Sequence, residues 1–279
     1  MLAILAESHW VQMLGLSVAI QVLSWVLAAT LHTEKFYDLV GETCILTFRH
    51  EYSVMTFHPG SLTFLLVSTL SHKASLQSAR HNVASYLVMA WACRLGTFLA
   101  IRVIRDGGDR RFDKVKHDPA VFLKYWVVQG LWVFITLVPT ITLNMSKRNP
   151  ALGVRDYLGW AIWGLGFLIE VVADMQKSVF RSDPTNEGQF ISSGLWSVSR
   201  HPNYFGEILL WFGLYVACSA VFRGWEYLTV ASPIFVMLLI TRLSGVPLLE
   251  ASGLKRWGGS AEYQRYIKDV PVLIPFIKT

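Results

Sequence analysis

Six long blocks of mostly apolar residues constrain this chain more than anything else in it. They lie at roughly 11–31, 83–104, 121–143, 157–173, 204–222 and 227–249. Each approaches or reaches the roughly 17–25 residues that carry an α-helix across a bilayer. A seventh stretch, Ser61 to Leu70, is about half that length. Only 16% of the residues are charged and 53% are hydrophobic. A soluble fold has too little polar surface at that composition to cover its exterior without large apolar patches. The expected fold is therefore all-α: a polytopic membrane protein with six to seven transmembrane helices. Repeats, low-complexity tracts and linkers are absent, so residues 1–279 read as one transmembrane domain.

The loops suggest an orientation. With seven spans, one side of the membrane receives 16 Lys and Arg and the other 6. Cytoplasmic loops carry the excess of such residues. The loops around 32–60, 102–120 and 174–203 and the C-terminal tail are thus expected in the cytoplasm. The net charge of +6 is accounted for by this bias, and no nucleic-acid partner is read from it. The first apolar block has neither a basic leader nor a small-residue cleavage site, so it is not expected to be a cleaved signal peptide. Cys44, Cys93 and Cys218 have no paired or metal-ligand spacing, and the eight His residues are too scattered for a metal site.

Charge within or beside a span is costly, so its presence points to function. Most of it lies in the C-terminal half. Glu170, Asp174, Lys177 and Arg181 follow one another at helical spacing at the end of the 157–173 block, the fifth of seven spans. Ser199-Arg-His-Pro-Asn-Tyr-Phe-Gly-Glu207 opens the next block. Arg242 sits within the last, followed by Ser244, Gly245, Pro247 and Glu250. An interfacial belt of snorkelling Lys and anchoring Trp accounts for Trp225, Trp257 and most lysines. It does not account for Arg242. Arg181, Arg200 and Arg242 suit a phosphorylated ligand, because a guanidinium grips phosphate with two parallel N–H donors. Asn203 and the N-terminus of the sixth helix would add amide donors.

These residues resemble the steroid 5-alpha-reductase superfamily, and within it a branch of 3-oxo-5-alpha-steroid 4-dehydrogenase C-terminal-like membrane proteins. The stretch carrying the resemblance includes Asp174-Met-Gln-Lys177, Gly194-Leu-Trp196, Ser199 to Glu207, Ser244-Gly-Val-Pro-Leu-Leu-Glu250, Tyr263-Gln-Arg-Tyr266 and Ile274-Pro275. Upstream, Lys35-Phe-Tyr-Asp-Leu-Val-Gly41 and Gly107 to Phe112 extend it over nearly the whole chain.

The resemblance implies a seven-helix reductase. It would take NADPH from the cytosolic side and reduce a carbon–carbon double bond conjugated to a carbonyl in a steroid or other lipid. Residues 174–279 would form the cofactor-binding half. Asp174, Arg181, Arg200, Asn203, Glu207, Arg242, Glu250 and Tyr263 would bind the cofactor. At the substrate end Trp91 stands where such reductases carry a Tyr, and an indole cannot supply a proton in that way; Tyr37, Asp38 and Tyr86 are the candidate catalytic donors. Membrane lipids are the remaining expected partners. The membrane would be the endoplasmic reticulum in a eukaryote and the inner membrane in a bacterium.

Isoprenylcysteine and phospholipid methyltransferases share the Arg-His-Pro-x-Tyr-x-Gly core, so an S-adenosylmethionine-dependent methyltransferase stays open. So does a non-catalytic lipid-binding protein. Glu207 directly after Gly206, and Leu249-Glu250 in place of a Glu pair, favour the reductase. Residues 42–60 look like an insertion that splits the second span, since Phe36 to Gly41 joined to Ser61 to Leu70 approaches spanning length.

Overall fold

The structure, a computed structural model, describes residues His9–Thr30, Pro59–Asp106 and Asp118–Ile277. Among them there are helices and no strands. The chain divides into two compact units, Met1–Pro150 and Ala151–Thr279. Tyr37, Asp38 and most of the proposed 42–60 insertion lie outside the described residues, although Pro59 and Gly60 already open a helix.

The first unit contains α1 (His9–Thr30), α2 (Pro59–Lys73), α3 (Ala79–Asp106) and α4 (Pro119–Met145). Asp118 caps α4 by accepting from the backbone amides of Ala120 and Val121 at 3.0 and 3.1 Å, and Pro119 occupies the first helical position, where a missing N–H costs nothing. α4 packs along α1 and α2, and α2 along α3. The buried stripe of α1 is Ser17, Gln21, Ser24 and Ala28, whereas Leu23, Val26 and Leu27 are exposed. Polar residues thus face inward and apolar ones outward. That inverts the pattern of a soluble helix and suits hydrocarbon, where polar side chains join helices by hydrogen bonds. The bonds are present: Gln21 donates to Thr63 at 2.7 Å, Ser17 to the Gly130 carbonyl at 2.7 Å, and Asn144 to Ser71 and Ser85 at 3.0 and 3.1 Å.

The second unit contains α5 (Val154–Ser182), α6 (Pro202–Cys218), α7 (Ala231–Leu238), α8 (Val246–Trp257) and α9 (Ala261–Asp269), with a single π turn at Leu239–Leu243 between α7 and α8. α5 and α6 are closely paired along a glycine seam. Gly159 and Gly166 on α5, seven residues apart, face Gly213 and Gly206 on α6, also seven apart. A Cβ added at Gly166 would come within 2.6 Å of the Gly206 carbonyl, and one at Gly206 within 2.6 Å of the Gly166 carbonyl. Only hydrogen on Cα allows the two backbones to approach this closely, as in membrane helix pairs. Leu158, Leu165, Leu168 and Val179 of α5 point outward.

Among the described residues, five segments are long and apolar enough to cross a membrane: His9–Thr30, Pro119–Met145, Val154–Ser182, Pro202–Val221 and Gly224–Trp257. They match five of the six blocks read from the sequence, and the remaining block, 83–104, lies within the 28-residue α3. The protein is an all-α, multi-pass integral membrane protein.

Candidate functional site

The glycine seam carries the charged motifs of the C-terminal half to one place in the second unit. It holds the N-terminus of α6 beside the last turns of α5, and there Asn203 donates to Asp174 at 3.1 Å. The chain leaves α5 through a short loop and re-enters at Gly194. Gly194 has φ +61°, a conformation that L-residues avoid, and a Cβ there would strike the Gln176 amide at 2.5 Å. Gln176 instead accepts from the Leu195 amide at 2.9 Å. The turn places Trp196 against α5, its indole donating to the Ala173 carbonyl at 3.1 Å. Lys177 lies over the Trp196 ring, 4.5 Å from its centroid.

The next turn is pinned from the C-terminal side. Ser199 donates to the Leu273 carbonyl at 2.7 Å, and the Arg200 amide to the Pro271 carbonyl at 2.9 Å. The Arg200 guanidinium pairs with Glu250 of α8 at 2.9 Å, and His201 Nε2 meets the other Glu250 oxygen at 2.8 Å. His201 is buried and its Nδ1 has no hydrogen-bond partner among the described residues. Burial holds the imidazole below its usual range, against the opposing pull of Glu250. It is therefore a neutral ring whose Nε2–H donates to the carboxylate. The Tyr204 ring stacks on it at 5.7 Å.

Between these elements lies an open-mouthed cleft of about 130 Å³. One side is aromatic. Phe190 lies 4.9 Å from Tyr263, 5.2 Å from Tyr266 and 5.9 Å from Trp257. The rings are anchored by their polar ends: Tyr266 donates to the Trp196 carbonyl at 2.8 Å and Trp257 to the Gly188 carbonyl at 2.6 Å. Tyr263 packs on Gly253, whose missing side chain makes room for the phenol. Burial pushes both tyrosine hydroxyls upward, so they stay protonated. The other side is basic, with Lys177, Arg181, Arg200 and Arg256 against the single carboxylate of Glu250.

Of the residues singled out in the sequence, Arg181, Arg200, Glu250 and Tyr263 line this cleft together. Asp174 and Asn203 bond to each other and do not line it, and neither does Glu207. Arg242 lies in the π turn, exposed and outside the cleft. Tyr86 belongs to the first unit, where its exposed ring lies 5.7 Å from that of His72. Trp91, also there, is fully buried against Phe64 at 5.0 Å. Sequence reasoning passed over His201, Arg256, Phe190 and Tyr266 as site residues. Tyr263 and Tyr266, three residues apart on one helix, carried a usable signal; Phe190, in an irregular loop, carried none.

A family described as a protein of unknown function, DUF1295, matches residues 24–270. The chain belongs to this family. It is also similar to two curated proteins. One is named a probable O-methyltransferase of Ustilaginoidea virens, 32% identical over 81 residues, which is 28% of each chain. The other is an uncharacterized protein of Schizosaccharomyces pombe, 24% identical over 173 residues, 51% of this chain and 49% of the relative. The chain thus matches at most about half the length of these relatives. No solved structure matches it.

Proposed function

We propose that this protein is a membrane-embedded, NADPH-dependent reductase of a carbon–carbon double bond conjugated to a carbonyl in a steroid or other lipid. The observation that carries this reading is the charge and shape of the cleft. Four Lys or Arg side chains face one acid, and that acid is already engaged by Arg200 and His201. A net-positive wall opposite a set of aromatic faces fits a ligand that carries both phosphates and flat rings. In this reading Arg181, Arg200, Arg256 and Lys177 hold phosphate oxygens, and Phe190 and Tyr266 offer ring faces. NADPH supplies the hydride. Tyr37, Asp38 and Tyr86 are the proposed donors to the developing enolate.

A second reading has its own support. The similarity to a protein named as an O-methyltransferase favours S-adenosylmethionine, and aromatic faces attract its sulfonium. That cofactor carries no phosphate, however, and its cationic centre would enter a cleft that is already basic. Titrating NADPH and S-adenosylmethionine separately into detergent-purified protein distinguishes the two. Saturable NADPH binding without S-adenosylmethionine binding is expected, and the reverse would replace the reductase by the methyltransferase.

A further inference from the structure

Behind Arg200 lies a second concave surface. It is a broad, shallow depression lined by Arg200, Gln264, Arg265, Ile267 and Lys268, with no acid among its lining residues. Glu262 and Asp269 share α9 with it but do not line it. Three cations thus converge on one depression. Arg265 and Lys268 are exposed, and neither side chain makes a hydrogen bond or ion pair among the described residues. Arg200 is held in place by its backbone bond to Pro271 and by Glu250, and its Nε is buried without a hydrogen-bond partner among the described residues. Gln264 is also fixed, since its side-chain amide donates to the Gly258 carbonyl at 2.8 Å. Glu250 answers only Arg200; Arg265 and Lys268 beside it repel one another and Arg200, and that repulsion is relieved when an anion joins them.

We propose that this depression is a phosphate-binding site, distinct from the aromatic cleft and joined to it through Arg200. Arg265 and Lys268 supply the mobile donors, and Arg200 is the fixed one. The ligand is a phosphate group, whether free in solution or on the headgroup of an anionic lipid. The site lies just beyond the last candidate span, which ends at Trp257, where a basic helix meets headgroups. Because Glu250 holds Arg200 from the cleft side, an anion in the depression competes with Glu250 for the same guanidinium. Occupancy of one site is therefore felt at the other.

The test uses the whole protein and needs no cofactor or substrate. In one arm, inorganic phosphate is titrated into detergent-purified protein at constant ionic strength, and the melting midpoint is followed. In the other arm, the protein is reconstituted into phosphatidylcholine vesicles with and without phosphatidic acid. The midpoint should rise saturably in at least one arm. R265A/K268A should need at least about tenfold more anion for the same rise, as expected for lost hydrogen bonds between charged groups. R265K, which keeps the charge, should retain most of it. A rise with inorganic phosphate identifies a soluble phosphate ligand, and a rise with phosphatidic acid alone identifies a lipid headgroup. No rise in either arm, or an equal rise in R265A/K268A, overturns the site.

Discussion

The Glu250 carboxylate lies 2.9 Å from the Arg200 guanidinium and so ties α8 to the turn that precedes α6. The pair is largely but not fully shielded, with side-chain exposures of 24% and 11%. Breaking a well-buried pair costs about 3–5 kcal/mol, and solvent reaching this one reduces that. Glu250→Gln is expected to destabilise the protein by about 1–2 kcal/mol, because the amide retains a hydrogen-bond acceptor but not the charge. Glu250→Ala should cost more, since it leaves Arg200 and His201 both unanswered. Thermal melts in detergent check the order: wild type highest, Gln next, Ala lowest.

The glycine seam predicts a contrast within one helix. At Gly206 an added methyl group meets the Gly166 backbone carbonyl, which cannot swing aside as a side chain could. Gly206→Ala should therefore cost about 1–3 kcal/mol through forced separation of α5 and α6. Gly166→Ala should behave alike. At Gly164, on the same α5, nothing lies within 4 Å of the added methyl, so Gly164→Ala should be neutral or stabilising by up to about 1 kcal/mol. Equal loss of stability at Gly164 and Gly206 would contradict the close packing.

His201 gives a pH dependence whose sign follows from burial. Its folded-state pKa is lowered, whereas in the unfolded chain the ring titrates near 6.5. Below about pH 6.5 the unfolded state binds the extra proton first, so stability falls as pH drops from there toward the lowered folded value. Above that window the group contributes no pH dependence. His201→Gln should flatten this part of the stability profile while lowering its plateau, because the bond to Glu250 is weakened. Melting midpoints between pH 5 and 8 measure both effects.

The architecture was legible from the sequence because crossing hydrocarbon demands length and apolarity together, and both can be counted along the chain. Five blocks became the five apolar segments, and the charged positions of the C-terminal half marked the region of the cleft. The inward-facing polarity of α1 was less visible: Ser17, Gln21 and Ser24 are too few to lower its average hydropathy. Individual site residues were harder still. Arg242 stood out because it is a charge in an apolar run, yet a π turn sets it outside the cleft. Arg256 was not among the candidate residues, yet it lines the cleft, because α8 and α9 fold back on the loop that carries Phe190. Nothing in local spacing encodes that return.

The topology expectation is open to direct labelling. The C-terminus and the loop around 102–120 should both face the cytoplasm, as the 16-to-6 distribution of Lys and Arg requires. Single cysteines introduced as Thr279→Cys and Asp109→Cys should react with an impermeant reagent only from that side of sealed membranes. Reaction of either from the opposite side would invert or divide the proposed arrangement.

The central claim is that a phosphorylated nicotinamide cofactor sits in the basic, aromatic cleft of the second unit. Its most direct test is the NADPH dissociation constant, by fluorescence titration in detergent, of wild type, Arg256→Ala and Lys177→Ala, with Arg223→Ala, outside the cleft, as the control. The account predicts that each cleft substitution weakens binding by about tenfold or more, as for a lost charge-assisted contact, and that Arg223→Ala binds as wild type does. Identical affinities across all four proteins, or no NADPH binding by wild type, would contradict it.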